Sequence, residues 1–251
     1  MITAGEKDHL KKKGKSTGTF YFKQFKVEDG RSTMKVGTDA VLLGAFADVG
    51  EAEQILEIGT GCGVISLILA QRSNAQIDAI DIDEESVKQA RENAGNSPWN
   101  DRINIIHSSL QDFVKHSERK YDLLVSNPPF FSNALKSPNE KRNISRHNDL
   151  LSYEELIIGS SGLMSAGGSL WVVLPAKESV AFIDIAVKSG LFLHFKVKVI
   201  SKAKKECHRV LIQFKNTPSE KVKEKSLAIK NADNSYSMEY IELTKEFYID
   251  F

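Results

Sequence analysis

The chain has 251 residues, 41% of them apolar, and a formal net charge of +1, enough material for one α/β domain with a sizeable core and too little for a second. No apolar run approaches the roughly 20 residues that span a bilayer and the N-terminus has no apolar signal core, so a soluble, cytoplasmic protein without a membrane partner is expected. The two cysteines, Cys62 and Cys207, exclude a disulfide framework and have no metal-ligand spacing.

Charge is unevenly placed. Residues 7–35 hold nine Lys/Arg, residues 196–225 hold ten against three acids, and residues 48–122 hold fourteen acids against seven Lys/Arg. A basic face can therefore form on a nearly neutral protein, with a polyanion as its partner, or the lysines are ordinary solvated surface.

Residues 1–19 are rich in Lys, Gly, Ser and Thr, which suggests a flexible basic arm ahead of a single domain over 20–251. The alternating FYFKQFKV of 20–27, the Glu28–Asp29–Gly30 turn signal and a short extended piece ending at Val36 suggest a small N-terminal β-hairpin. Strand and helix patterns then alternate. QILEIG (54–59) leads to a helix from Val64, QIDAIDI (76–82) to a helix over 84–93, and INIIHS (103–108) to YDLLVSN (121–127). A helix near 152–165, GSLWVVLP (168–175) and a helix over 177–188 follow. Apolar strands interleaved with helices imply a parallel sheet covered on both faces. HFKVKVI and HRVLIQF then succeed each other without a helix, so they form an antiparallel terminal hairpin. The expected fold is α/β and Rossmann-like, a seven-stranded, mostly parallel sheet of the class I methyltransferase shape.

The first of these strands runs into Glu57-Ile58-Gly59-Thr60-Gly61-Cys62-Gly63 and then a helix. Glycines there let a nucleoside cofactor lie against the main chain, although many strand-to-helix turns use glycine for structure alone. Asp81, ending the next strand, suits a carboxylate that accepts from both ribose hydroxyls. The spacing is GxGxG and Glu57 makes the loop acidic, which suits the cationic amino group of a methionine moiety and repels a pyrophosphate. S-adenosylmethionine is thus favoured over a dinucleotide. Asp83 reads as a helix cap. Ser109 and Asp112 stand where cofactor adenine would be held, or cap a short helix.

Ser126-Asn127-Pro128-Pro129-Phe130 closes the fourth strand of the alternating series. Two prolines fix the backbone at the carboxyl edge of the sheet, where α/β ligands bind. The lone pair of an exocyclic amine is delocalised into its ring, so a methylating site must accept hydrogen bonds from both N–H groups. The Asn127 side-chain oxygen and the Pro128 carbonyl suit that task, with Phe130 stacking on the base. Phe131 either joins it or packs beneath the loop. No cysteine stands nearby to attack a pyrimidine carbon, and His107, His116, His194 and His208 read as structural or surface residues.

At this point the sequence resembles the bacterial tRNA adenine-N6 methyltransferases that modify the adenosine at position 37, beside the anticodon, of a valine tRNA. The likeness runs from Phe20 to the C-terminus. It is carried by FKQFKV, MKVGTDAVLLGAF (34–46), EIGTGCG, NPPFF (127–131) and RHNDLLSYEEL (146–156). It implies an S-adenosylmethionine-dependent enzyme with a tRNA substrate, in which Gly37, Thr38 and Asp39 line the cofactor side of the pocket. From the residues alone, Asp39 would instead cap a helix. It also sets Lys35, Arg142, Arg146 and His147 toward RNA phosphates, where a solvated loop is the other reading. A monomer is expected. Competing readings are methylation of a protein glutamine amide at N5, methylation of guanine N2 in RNA, and a non-catalytic RNA-binding scaffold.

Overall fold

The computed structural model describes residues 18–129 and 151–251. Its main element is a sheet whose chain order begins with β3 (Gln54–Ile58), β4 (Gln76–Asp81), β5 (Ile103–His107), β6 (Tyr121–Ser126) and β7 (Met164–Pro175). These five strands are parallel, because a helix returns the chain after most of them and the intervening apolar runs are buried on both faces. β8 (Phe192–Lys202) and β9 (Cys207–Lys215) follow as the expected antiparallel pair, and β9 lies antiparallel to β7.

One strand more than expected is present. β10 (Lys223–Lys230) pairs in parallel with β8, giving eight strands in the order β10-β8-β9-β7-β6-β3-β4-β5. In the sequence this strand reads KEKSLAIK, three charged residues ahead of a short apolar stretch, and Leu227 alone is buried. It has the composition of a solvated tail, and also that of an edge strand protected by charge.

Helices cover both faces. α1 (Thr38–Phe46), α2 (Val64–Arg72) and α3 (Glu84–Gly95) enclose one core with Ile55, Ile77, Val125 and Trp171. On the other face α4 (Leu110–His116), α5 (Tyr153–Leu163) and α6 (Glu178–Lys188) enclose a second core with Leu56, Leu124, Val172 and Phe214. Leu42 and Leu43 of α1 are fully buried, each contributing roughly 1.5–3 kcal/mol. α5 starts on a complete capping box between Ser152 and Glu155, the reason its N-terminus falls where the sequence places it.

The N-terminal hairpin exists, but with different strands. β1 (Thr19–Tyr21) and β2 (Lys26–Glu28) pair within the FYFKQFKV segment itself, Phe20 opposite Val27. The turn is at Lys23–Gln24 because Phe22 and Phe25 both go inward and stack at 4.5 Å, leaving residues 29–36 without a strand. The first strand begins at Thr19, one residue before Phe20. The C-terminus closes on this hairpin: after α7 (Met238–Thr244), Phe247 accepts from the Lys23 amide at 2.8 Å and Tyr248 stacks on Phe22. Among the described residues no helix is long and apolar enough to cross a membrane.

Candidate active site

β3 is flanked by β4 on one side and β6 on the other. The connections leave it in opposite directions and open a crevice at the carboxyl edge, where open α/β sheets bind ligands. The turn from β3 into α2 occupies that crevice. Gly59, Gly61 and Gly63 all have left-handed backbones, φ 78°, 56° and 82°. At Gly59 a side chain would meet nothing within 4 Å, so this backbone faces open space that a ligand can approach. At Gly61 a Cβ would come within 3.4 Å of Ser32 Oγ and 3.5 Å of Met34 Cβ.

Those contacts identify a strap that sequence reasoning missed. Residues 28–36 cross the glycine turn and are fastened to α3. Asn93 accepts from the Glu28 amide at 3.0 Å and donates to the Glu28 and Cys62 carbonyls at 2.7 and 2.8 Å. The Thr33 amide donates to Ser86 Oγ at 3.3 Å, and Arg31 pairs with Glu92. Only polar residues at three- and four-residue spacing on α3 (Ser86, Gln89, Asn93), buried although their helix is amphipathic, could have signalled it.

Two carboxylates brace the glycine turn, Glu57 from beneath and Asp81 from the end of β4. Glu57, read as an acidic group of the loop facing a cofactor amine, is fully buried beneath the loop. Its Oε2 accepts from Thr60 Oγ1 at 2.8 Å, from the Ser66 amide at 2.9 Å and from Ser66 Oγ, bracing the glycine turn to the first turn of α2. Burial pushes its pKa up to about 7, against the opposing hydrogen bonds from Ser66 and Thr60. Its Oε1 has no partner among the described residues. Asp81 stands at the end of β4 and holds the loop in shape: Oδ2 accepts from the Gly61 amide at 2.7 Å and Oδ1 from the Asp83 amide at 2.9 Å. Burial raises its pKa against these same bonds. Each oxygen of a carboxylate has two acceptor sites, so one remains on each for a ribose hydroxyl. Asp83 caps α3 through the Ser86 amide at 2.8 Å.

Four residues expected from the sequence to contact cofactor or RNA have other partners. Ser109 caps α4 through the Asp112 amide, while the Asp112 carboxylate accepts from Ser109 Oγ at 2.9 Å and from Lys115 at 3.0 Å, which lowers its pKa. The capping alternative describes this pair. Asp39 caps nothing, since Gly37 is the N-cap of α1 and Thr38 its first residue. Its carboxylate instead accepts from Arg209 Nε of β9 at 2.7 Å, both side chains about three-quarters buried. Lys35 donates to the carbonyls of Asp29 and Gly30 and so closes the turn behind the strap.

β6 delivers the remaining group. Ser126 Oγ donates to the Ile58 carbonyl at 2.8 Å, which locks the end of β6 against β3 and directs the chain into Asn127. Asn127 Oδ1 is buried and has no hydrogen-bond partner among the described residues. Pro128 is buried and Pro129 exposed. A buried acceptor without a donor costs about 1–3 kcal/mol, so the fold retains Asn127 at a loss unless a ligand supplies the N–H. Phe130, Phe131, Arg142, Arg146 and His147 lie outside the described residues.

This strand order, with its reversed β8–β9 pair, is the class I S-adenosylmethionine-dependent methyltransferase fold, and residues 31–188 match the family model of the Methyltransferase small domain. Solved structures agree on the fold. A "predicted O-methyltransferase" from Agrobacterium tumefaciens superposes with a TM-score of 0.62 at 17% identity, covering 83% of this chain and 96% of that one. A ribosomal protein L11 methylase from Lactobacillus delbrueckii subsp. bulgaricus gives 0.53 at 16%, covering 75% and 83%. Among curated relatives, the chain is 46% identical to the tRNA1(Val) (adenine(37)-N6)-methyltransferase of Bacteroides fragilis (strain YCH46), over 92% of this chain and 97% of the relative. It is 40% identical to the protein of the same name from Serratia proteamaculans, over 92% and 90%. The chain belongs to the tRNA1(Val) (adenine(37)-N6)-methyltransferase family.

Proposed function

We propose that the protein transfers the methyl group of S-adenosylmethionine to N6 of adenosine 37 in tRNA1(Val), acting as a monomer in the cytoplasm. The observation that carries this reading is the buried Oδ1 of Asn127, which has no donor among the described residues, at the crevice between β3 and β6. An adenine amino group presents two N–H donors. Asn127 Oδ1 accepts one and the Pro128 carbonyl the other, which turns the nitrogen lone pair away from the ring. Phe130 stacks on the flipped base.

The residues around the glycine turn fit the cofactor. Gly59 leaves the main chain open, Asp81 keeps one acceptor site per oxygen for the ribose, and Glu57 braces the turn from beneath through Thr60 and Ser66. When bound, the cofactor supplies an electrophilic methyl on a sulfonium. Gly37, Thr38, Gly61 and Gly63 complete its walls, with Asp39, Ser109 and Asp112 as outer supports. Lys35, Arg142, Arg146 and His147 meet tRNA phosphates, residues 20–251 act as one catalytic domain, and the basic arm of 1–19 adds RNA affinity. A protein glutamine amide and guanine N2 present the same pair of donors; membership of an adenine-N6 family favours adenine. The test is methyl acceptance by a tRNA1(Val) transcript carrying A37 against one carrying G37: the first accepts, the second does not, and equal acceptance would overturn the assignment.

A further inference from the structure

The second Lys-rich stretch has no part in the reaction described above, yet the topology brings it to the active edge. β9 runs antiparallel to β7 with Arg209 opposite Pro175. The turn between β8 and β9 therefore projects from the same edge at which β6 delivers Asn127. Residues 202–209 hold three lysines and one arginine against one glutamate. Lys204 and Lys205 are exposed, and neither ammonium group has a partner among the described residues.

The turn is held firmly. Its ends are joined by the Lys205 amide donating to the Lys202 carbonyl at 3.0 Å, and the Ala203 amide donates to the Lys230 carbonyl of β10 at 2.8 Å. Lys202 Nζ is tied to Asn234 at 2.8 Å. At the root of β9, Arg209 is fastened to Asp39 of α1. Lys204, third residue of this turn, has φ 70°. Glycine or asparagine takes that conformation with least strain, so backbone geometry alone does not call for a lysine there.

We infer that the β8–β9 turn is a phosphate-binding finger for the tRNA, in which Lys204 and Lys205 neutralise backbone phosphates of the arm whose base enters at Asn127. This rests on the tRNA reading above. A firmly held tip whose two lysines have no partner among the described residues, on the catalytic edge, is suited to a polyanion, and its attachment through Arg209 and Asp39 ties the backbone contact to the domain that holds the reacting base.

The test compares the full-length wild type with Lys204→Gly, Lys204→Arg and Lys204→Gly/Lys205→Gln. Binding of a tRNA1(Val) transcript is followed by fluorescence anisotropy across a salt series, alongside kcat, KM, S-adenosylmethionine affinity and Tm. Glycine at 204 relieves the backbone, so Tm holds or rises. The tRNA Kd and KM rise roughly three- to ten-fold per lysine removed, and the slope of log K against log salt falls by about 0.7–0.9 per lysine. Lys204→Arg retains affinity, while kcat and cofactor affinity stay unchanged. Unchanged tRNA affinity and salt slope in the double variant would overturn the finger and leave the methyltransferase reading standing. A wild type that binds tRNA through these lysines but transfers no methyl to it would overturn the reaction and keep the finger.

Discussion

Asn127→Ala separates what this side chain does for the reaction from what it does for the fold. In the folded protein its Oδ1 is buried with no donor among the described residues, a desolvation penalty of about 1–3 kcal/mol. Deleting the amide removes that penalty and some packing, so stability should hold or rise by up to about 1 kcal/mol. For a chain of this length that corresponds to a Tm shift of roughly +2 to +4 °C at most. Activity should move the other way. Loss of one preorganised hydrogen-bonding group at a reacting centre costs about 10²–10³ in kcat, roughly 2.7–4 kcal/mol. The assay is steady-state methyl transfer to a tRNA1(Val) transcript, with Tm by calorimetry and S-adenosylmethionine affinity by titration. A variant that melts several degrees lower and loses activity only in proportion to its unfolded fraction would refute the reasoning, because Asn127 would then be a structural residue.

Glu57→Gln should flatten the pH dependence of stability. The folded pKa is raised from 4.5 to about 7 by burial, so between those values the folded state holds a proton that the unfolded state has lost. Wild-type stability therefore falls as pH rises from about 4.5 to 7 and is level above, a loss on the order of 3 kcal/mol, and urea unfolding at pH 5 and pH 8 should show the difference in wild type and not in the variant. Ser109→Ala should cost about 1 kcal/mol of stability through loss of the α4 cap with S-adenosylmethionine affinity unchanged by titration; a fall in affinity at constant stability would restore Ser109 as a cofactor contact. Asp39→Asn should cost about 1–2 kcal/mol, since it breaks a partly buried pair with Arg209. A double-mutant cycle with Arg209→Gln in urea unfolding should recover a coupling of similar size, and strict additivity would show the pair to be idle.

The parallel strands were legible because each carries an apolar run bounded by turn residues, as in QILEIG and YDLLVSN, and the central ones are buried on both faces. The cofactor turn was legible for a related reason. Three closely spaced glycines after a strand demand left-handed backbone, and all three adopt it. What sequence could not supply is direction. Glu57 lies in an acidic loop by position, but the alternation of β3 turns its side chain inward, to Ser66 and Thr60. Asp39 stands at the start of a helix pattern and so reads as a cap or a ligand, while its partner Arg209 is 170 residues away. The strap of 28–36 has no periodicity, because it is held by side chains of α3 and not by a ladder. β10 was hidden because its exposed Lys223, Glu224 and Lys225, which keep a sheet edge from pairing further, read in sequence like a solvated tail.

The most direct test of the central claim is transfer of labelled methyl from S-adenosylmethionine to total tRNA lacking this modification, followed by nucleoside analysis, for wild type and Asn127→Ala. N6-methyladenosine appearing in tRNA1(Val), and absent with the variant, is the expected result. Label in guanosine, or in protein in place of tRNA, would contradict it.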